Sequence, residues 1–287
     1  MGRWSNSWHL LKETWNILKL DKEMLWFPVF SCIFTGIVFL SFILPLVLSK
    51  AFAPTPVYFL FLFLFYFISY FIIIFFNTGL IICASIRLSG GDPTVRDGLV
   101  GASRHLGKIL GWTAVAATVG FILRVIIDKL NERSQFLGAI LVSLLGMAWT
   151  LLTFFVIPVM IFENRGVFAS IRESGSLFKK TWGETAVGQF SLGLVFLVLG
   201  ILGVIPLLLA FFSGSLPAIL IVFAGVLFYW IILSIFSSTL NGIFTTALYY
   251  YARTGKVPAG YEKEHITGAF KKRENKFPFS GRGINSR

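Results

Sequence analysis

Six long apolar runs, separated by polar segments, set the pattern of the chain. They cover residues 24–49, 57–82, 109–127, 136–162, 185–212 and 217–251. A helix needs about 20 apolar residues to cross the hydrocarbon core of a bilayer, and each run meets that length. Since the links after the first, third and fifth runs are short, the pattern predicts an all-α, polytopic membrane protein with six transmembrane helices arranged as three hairpins. The first run is too long for the core of a cleaved signal peptide, so we predict no cleavage.

Capping residues and one proline indicate where helices begin and bend. Thr94 with Asp97, and Ser170 with Glu173, have the spacing of a capping box, which predicts a helix start in each of the two long polar segments. Pro206 lies inside the fifth run and should kink it, because proline lacks the N–H that a helix interior requires.

A short polar motif precedes three of the apolar runs. It reads S-W-H-L-L-K-E-T-W at residues 7–15, S-G-S-L-F-K-K-T-W at residues 174–182 and, more loosely, S-R-H-L-G-K-I-L-G-W at residues 103–112. The chain therefore reads as a threefold repeat of an amphipathic interfacial helix plus a hairpin. We expect one membrane domain over residues 1–260, and a basic, disordered cytoplasmic tail over residues 261–287 because so few apolar residues cannot form a core.

Tryptophans recur on one face of the first polar helix and ahead of two later spans. Trp4, Trp8 and Trp15 share a helical face, and Trp112 and Trp182 take corresponding positions before the third and fifth runs. An indole is stable at headgroup depth because its ring is apolar while its N–H needs a polar partner. We predict that all five are interfacial anchors next to anionic phospholipid headgroups. The alternative is that this face packs on the other helices. Both interpretations hold if one edge of the first helix packs inward.

Composition and charge place these helices in a membrane and orient them. Apolar residues make up 56% of the chain, charged residues 13%, and the mean hydropathy is +0.81, values typical of integral membrane proteins. The net charge of +12 does not indicate nucleic acid, because 21 of the 25 Lys and Arg residues lie in the N-terminal segment, the two long polar loops and the tail. This bias predicts a multi-pass protein of the cell membrane with both termini in the cytoplasm.

The motifs of known enzymes and metal sites are missing from the sequence. His9, His105 and His265 are far apart, and no metal-ligand spacing, phosphate-binding loop or hydrolase motif occurs. Cys32 and Cys83 form no disulfide pattern and are interpreted as packing residues. We therefore predict that the protein is not an enzyme and has no cofactor or metal. A homo-oligomer and a membrane protein partner both stay open.

Four polar residues inside the spans form a candidate polar path: Asn77, Arg124, Gln189 and Asn241. Arg124 lies near a helix end with Asp128 four residues later, a spacing that favours snorkelling and ion pairing over substrate binding. In a transporter or channel, these side chains would line a route between interrupted helices.

The entry motifs, the Ile157-Pro158-Val159 sequence and the Arg-Thr-Gly-Lys-Val-Pro ending at residues 253–258 carry a family resemblance. From about residue 5 to residue 258 the chain resembles a family of prokaryotic six-span proteins known only as a domain of unknown function. It is also distantly similar to the membrane-embedded regions attached to some glycerophosphodiesterases. Neither resemblance brings a catalytic motif, and the hydrolase domain of the latter is absent, so they imply the six-span topology and no activity.

Two classes of function agree with these observations. The preferred hypothesis is a non-catalytic protein with a membrane-organising, lipid-binding or partner-scaffolding role. The alternative is a small-solute transporter or channel. A connected polar cavity between the helices would favour transport, whereas a dry bundle with tryptophans at lipid depth would favour the first hypothesis.

Overall fold

The computed structural model describes residues 3–49, 56–131, 135–180, 193–212 and 214–262. Trp4 and Arg124 lie in helices, but their side chains are not among the parts that the structure describes. Within the described ranges the regular elements are helices and no strand occurs, which confirms the all-α prediction. Six helical segments in this part of the chain are long and apolar enough to cross a membrane.

The helices follow one another closely along the chain. In order they are α1 (Arg3–Leu20), α2 (Trp26–Ser49), α3 (Pro56–Leu88), α4 (Val95–Ser103), α5 (Leu106–Asn131), α6 (Gln135–Thr153), α7 (Val156–Phe162), α8 (Val167–Lys180), α9 (193–202), α10 (Ile205–Phe212) and α11 (Leu216–Thr254). A short 3-10 helix, Lys22–Leu25, joins α1 to α2. The six predicted runs thus correspond to α2, α3, α5, α6 with α7, α9 with α10, and α11.

The core of the bundle is built around α3, which packs against α2, α4, α5, α7 and α11. The buried residues of α3 lie between Ser69 and Leu88, and those of α11 lie mostly after Thr239. The core therefore sits at the end of the bundle that carries the two long polar loops. Elsewhere the helices expose apolar side chains such as Ile37 and Leu220, an arrangement that is unfavourable in water and suits hydrocarbon.

A phenylalanine ring fills a slot between two glycines at this end. Phe27 of α2 is fully buried, and a Cβ atom built on Gly79 of α3 or Gly98 of α4 would lie 2.6 or 2.3 Å from its ring. Glycine at both positions therefore lets α3 and α4 close around the ring. Helix α4 begins with the Thr94–Asp97 capping box, as its sequence predicts.

The fourth apolar run is split into two helices, where the sequence predicted one. The break falls at residues 154–155, between α6 and α7, and Pro158 lies in the first turn of α7. The buried N–H of Phe155 donates to the hydroxyl of Ser174 on α8 at 2.9 Å. A side chain of the second polar loop thus satisfies a backbone group that the break leaves without a helical partner.

The fifth apolar run is interrupted just before Pro206, as predicted. The chain turns at residues 203–204, and α10 begins one residue before the proline. On α11, the Tyr229 hydroxyl donates to the Leu199 carbonyl at 2.7 Å, and the Trp230 indole N–H donates to the Gly200 carbonyl at 3.1 Å. Two side chains of the neighbouring span thus bond carbonyls at the end of α9.

The second predicted capping box is wrong. Helix α8 already begins at Val167, so Ser170 lies inside its first turn and donates its hydroxyl proton to the Gly166 carbonyl at 2.9 Å. Glu173 pairs with the guanidinium groups of Arg165 and Arg253. The helix starts earlier than predicted, after a loop of only four residues, 163–166.

The three copies of the polar motif do not have the same local structure. Residues 7–15 lie inside α1, whereas the middle copy spans the junction of α4 and α5. Leu10 and Leu177, which correspond in the first and last copies, are both buried, but Leu106 of the middle copy is exposed. The last copy ends at Trp182, which lies outside the described residues.

The folded part of the chain reaches beyond the predicted start of the tail. Tyr261 is buried, and its hydroxyl bonds the Thr14 hydroxyl on α1 at 2.8 Å. The segment leading to it is tied to α3, since the N–H of Ala259 donates to the Leu88 carbonyl at 3.0 Å. Tyr261 therefore belongs to the bundle, because a buried aromatic ring and a hydrogen bond hold it there.

Candidate functional site

A cavity of about 620 Å³ lies between α2, α3, α5, α6, α7 and α11. The hydroxyl, thiol and amide groups in its wall belong to Ser31, Cys32, Thr35, Asn77, Thr150, Thr153, Ser234, Ser238, Asn241 and Thr245. The rest of the wall is apolar, with Phe27, Leu80 and Ile81 toward the core. No Asp, Glu, Lys, Arg or His is among the described residues that form the wall.

The two cavity amides lie deep within their helices. Asn77 stands 11 residues before Leu88, the end of α3, and Asn241 stands 13 residues before Thr254, the end of α11. At a rise of about 1.5 Å per residue, these positions are about 16 and 20 Å from the helix ends. If α3 and α11 cross a bilayer, both amides are at hydrocarbon depth, where a polar group is unfavourable without a partner.

The structure brings together two of the four residues of the predicted polar path. Asn77 and Asn241 line the same cavity, on helices that are in close contact: a Cβ atom built on Gly242 would lie 3.7 Å from the Asn77 side-chain oxygen. Arg124 is part of α5, but its side chain is outside the description, and Gln189 lies outside the described residues altogether. Among the described residues that line this cavity, Asn77 and Asn241 are accompanied by no charged side chain.

Most of the cavity hydroxyls were not predicted from the sequence, because single Ser and Thr residues are common in membrane helices and usually bond their own backbone. A spacing pattern was nevertheless present in α11. Ser234, Ser238, Asn241 and Thr245 follow one another at steps of four, three and four residues, which places them on one face of the helix. A polar stripe along an apolar span would have predicted this wall.

Four of the hydroxyl groups in the wall donate within their own helix, whereas the buried Thr35 hydroxyl has no partner. Thr150 donates to the Gly146 carbonyl at 2.9 Å, Thr153 to the Trp149 carbonyl at 2.8 Å, and Ser234 to the Ile231 carbonyl at 2.8 Å. Thr245 donates to the Asn241 side-chain oxygen at 3.4 Å. These bonds leave the oxygen atoms as acceptors for a molecule in the cavity.

Trp8 and Trp15 of α1 lie beside its buried face. Leu10, Thr14 and Ile17 form that face and are buried in the core. Trp8 is 60% exposed, whereas Trp15 is half-buried, with its ring centroid 5.6 Å from that of Phe236. One edge of α1 thus packs inward while another stays open, which is the combination that the sequence left possible.

Trp112 has different surroundings from Trp8. Its side chain is only 6% exposed and stacks on Trp149, with a centroid separation of 6.0 Å. Ile109, Val156 and Met160 belong to the same buried cluster. The ring therefore contacts protein and has little surface left for lipid, because the third span packs against α3 and α7 at this level.

Ion pairs join the segments at the end of the bundle that carries the two long polar loops, called the loop end below. The Arg87 guanidinium at the end of α3 donates to both carboxylate oxygens of Asp21, a nearly buried side chain before the 3-10 helix. Glu163 accepts from Tyr249 at 3.0 Å and from Arg253 at 2.7 Å. These carboxylates are partnered and serve to join the loops to α3 and α11.

The pKa shifts outside the spans follow from local contacts. Hydrogen bonds from the Thr94 hydroxyl and N–H lower the pKa of Asp97 at the start of α4. Burial lowers the pKa of His105 and raises that of Tyr261. All three groups belong to the loop end of the bundle, away from the cavity wall.

The six apolar helices define a multi-pass membrane protein. Within that class, the chain belongs to a family of unknown function (DUF6159), whose model matches residues 56–259. The match includes α3 to α11, with Asn77 and Asn241, and confirms the resemblance to a domain of unknown function. The comparisons with curated proteins and with solved structures found no match. The similarity to membrane regions of glycerophosphodiesterases gains no support from them and stays a prediction.

Proposed function

We propose that this protein is a non-catalytic transporter or channel for a small uncharged solute, which occupies the cavity between α2, α3, α5, α6, α7 and α11. The observation that carries the proposal is the meeting of Asn77 and Asn241 in one cavity with eight other polar side chains. Amides at hydrocarbon depth need hydrogen-bond partners, and a solute in the cavity can bond them beside the Thr245 hydroxyl, which donates to the Asn241 side-chain oxygen. This cavity is the feature that distinguishes transport from a membrane-organising role.

The wall favours an uncharged solute over an ion. Moving an ion from water into a low-dielectric interior costs several kcal/mol unless an opposite charge or a dense set of ligands compensates it. The described wall offers hydroxyls and amides without such a charge. The same composition supports binding without catalysis, since acid–base chemistry would need titratable groups placed against the solute.

Flux through reconstituted protein tests this proposal. Proteoliposomes would be mixed with hyperosmotic glycerol, sorbitol or potassium chloride, and their shrinkage and recovery followed by stopped-flow light scattering. We expect faster recovery for an uncharged solute than in protein-free vesicles, and no gain for potassium chloride. Asn77→Leu and Asn241→Leu should reduce the gain at least tenfold, whereas Asn16→Leu, at an exposed site on α1, should not. Recovery rates equal to those of protein-free vesicles for all solutes would refute transport.

We also propose that both termini face the cytoplasm of the cell membrane, on the basis of the Lys and Arg distribution. The exposed residues Ser103 and Ser215 lie at opposite ends of the bundle. In a background without Cys32 and Cys83, Ser103→Cys should react with an impermeant thiol reagent only after the cells are opened. Ser215→Cys should react in intact cells, and the reverse pattern would overturn the orientation.

A second role is favoured by the exposure of Trp8. We propose that α1 lies at the inner headgroup layer, with Trp8 in contact with anionic phospholipid while Leu10 and Ile17 hold the helix to the bundle. In the same cysteine-free background, a fluorescent label at Trp8→Cys should be quenched more by headgroup-depth than by acyl-depth quenchers. A label that is quenched only by a water-soluble quencher would contradict contact with lipid.

A further inference from the structure

Helix α8 has one face that the bundle does not cover. Successive residues of a helix are turned by about 100°, so positions 168, 172 and 179 lie within roughly 40° of one another around the helix axis. Phe168, Arg172 and Lys179 are all exposed, and Phe168 is 77% exposed. Ser174 and Leu177, on the opposite side of the helix, are buried. The three exposed residues are called the α8 face below.

The start of α8 lies beside the first turns of a membrane span. A Cβ atom built on Gly111 of α5 would lie 3.2 Å from the Cγ2 atom of Val167. Gly111 stands five residues after Leu106, where α5 begins, which is about 7.5 Å along the helix axis. Leu110 on the same span is 43% exposed, a surface that contacts lipid in a membrane. Phe168 follows Val167 directly, so its ring lies near the boundary between headgroups and hydrocarbon.

The two cations of the α8 face are available to an anion from outside the bundle. Glu173 is the one carboxylate of α8, and it pairs with Arg165 and Arg253. Within the described part of the chain, neither Arg172 nor Lys179 forms an ion pair. An exposed aromatic ring beside two basic side chains suits a lipid surface, because the ring enters the acyl region while the cations bond phosphates.

We propose that the α8 face binds anionic phospholipid, with the Phe168 ring among the acyl chains and with Arg172 and Lys179 at the headgroup phosphates. Lipid is the occupant because the ring lies at the level of a lipid-facing flank of α5, and because the net charge of the face is positive. The surface is separate from the cavity and from α1. The inference therefore does not depend on transport, and it gives the protein a preference for anionic over zwitterionic lipid.

Lipid-specific quenching in the full chain tests this proposal. In a background without Cys32 and Cys83, a bimane label at Ala169→Cys reports on the α8 face, because Ala169 is exposed beside Phe168. The vesicles would contain spin-labelled phosphatidylglycerol or, at the same mole fraction, spin-labelled phosphatidylcholine. Each basic residue at an anionic surface gives about a fivefold gain in binding, so we expect quenching to show a preference for phosphatidylglycerol of about fivefold or more.

Matched variants separate the α8 face from the overall charge of the protein. Arg172→Gln combined with Lys179→Gln should reduce the preference to less than about twofold. The control combines Arg96→Gln with Lys256→Gln, which removes the same charge from exposed sites outside α8 and should leave the preference unchanged. Phe168→Ser should weaken quenching by both lipids, because the ring no longer holds the start of α8 at the acyl chains.

Equal quenching by the two lipids, or the same loss of preference in both double variants, would refute the proposal. Quenching by iodide from water, with none by either lipid, would place the α8 face in water. Quenching by neither iodide nor lipid would mean that protein, such as a second copy of the chain, covers the face. Each of these results overturns the assignment to anionic lipid and leaves the proposed transport untouched.

Discussion

Replacing Gly98 with alanine should destabilise the bundle at the slot that holds the Phe27 ring. The new Cβ atom would lie 2.3 Å from the Phe27 ring, 2.7 Å from the Gly79 carbonyl oxygen and 2.8 Å from the Cys83 sulfur. Real Cβ contacts are not this short, so at least two helices must move apart. Phe27 is fully buried between these glycines.

The magnitude follows from two opposing effects. Overpacking a core by one methyl group costs about 1–3 kcal/mol, and the upper end applies here because one of the overlapping atoms belongs to the backbone. Alanine in a helix interior is favoured over glycine by about 1 kcal/mol, which offsets part of the cost. We expect a net loss of about 2 kcal/mol in the free energy of unfolding.

Thermal unfolding in detergent would measure this loss. In a Cys32→Ser background, the buried thiol of Cys83 becomes reactive toward a fluorogenic maleimide only when the slot opens. The midpoint of labelling should fall by roughly 4–8 °C for Gly98→Ala.

Gly36→Ala is the matched control, because Gly36 lies inside α2 with no atom within 4 Å of a new Cβ. It should keep or slightly raise the midpoint. Equal midpoints for the two variants would refute the packing argument.

Two further predictions concern polar contacts at the loop end. Ser174→Ala removes the acceptor of the buried Phe155 N–H and should lower the free energy of unfolding by about 1–3 kcal/mol. The control Ser103→Ala, at an exposed site, should have almost no effect. Chemical denaturation would measure the free energy of unfolding of both variants. Burial raises the pKa of Tyr261 above its ordinary value of 10.0, so the fold favours the neutral phenol. The stabilising contribution of Tyr261 should therefore be present below about pH 10 and lost as the pH rises further. Tyr261→Phe should lose the bond to Thr14 and show a weaker fall in stability above pH 10, a result that a pH series of unfolding midpoints can contradict.

The amino-acid sequence determined the features that depend on neighbours along the chain. Apolar runs of sufficient length predicted the membrane helices, because burial of every backbone polar group in hydrocarbon requires a continuous helix. Thr94 and Asp97 predicted the start of α4, since a capping box is complete within four residues. Pro206 predicted the interruption of the fifth run, because the missing N–H acts within one turn.

The tertiary structure decided the features that need residues far apart in the chain. Asn77 and Asn241 share a cavity only because α3 and α11 pack together. Trp112 has a pattern like that of exposed Trp8, yet it is buried, because α3 and α7 cover it. Tyr261 lies in a segment of tail-like composition and is held by a residue of α1. Hydropathy reports how much each segment favours burial, whereas the packing of the helices decides whether a given side chain meets lipid, protein or a cavity.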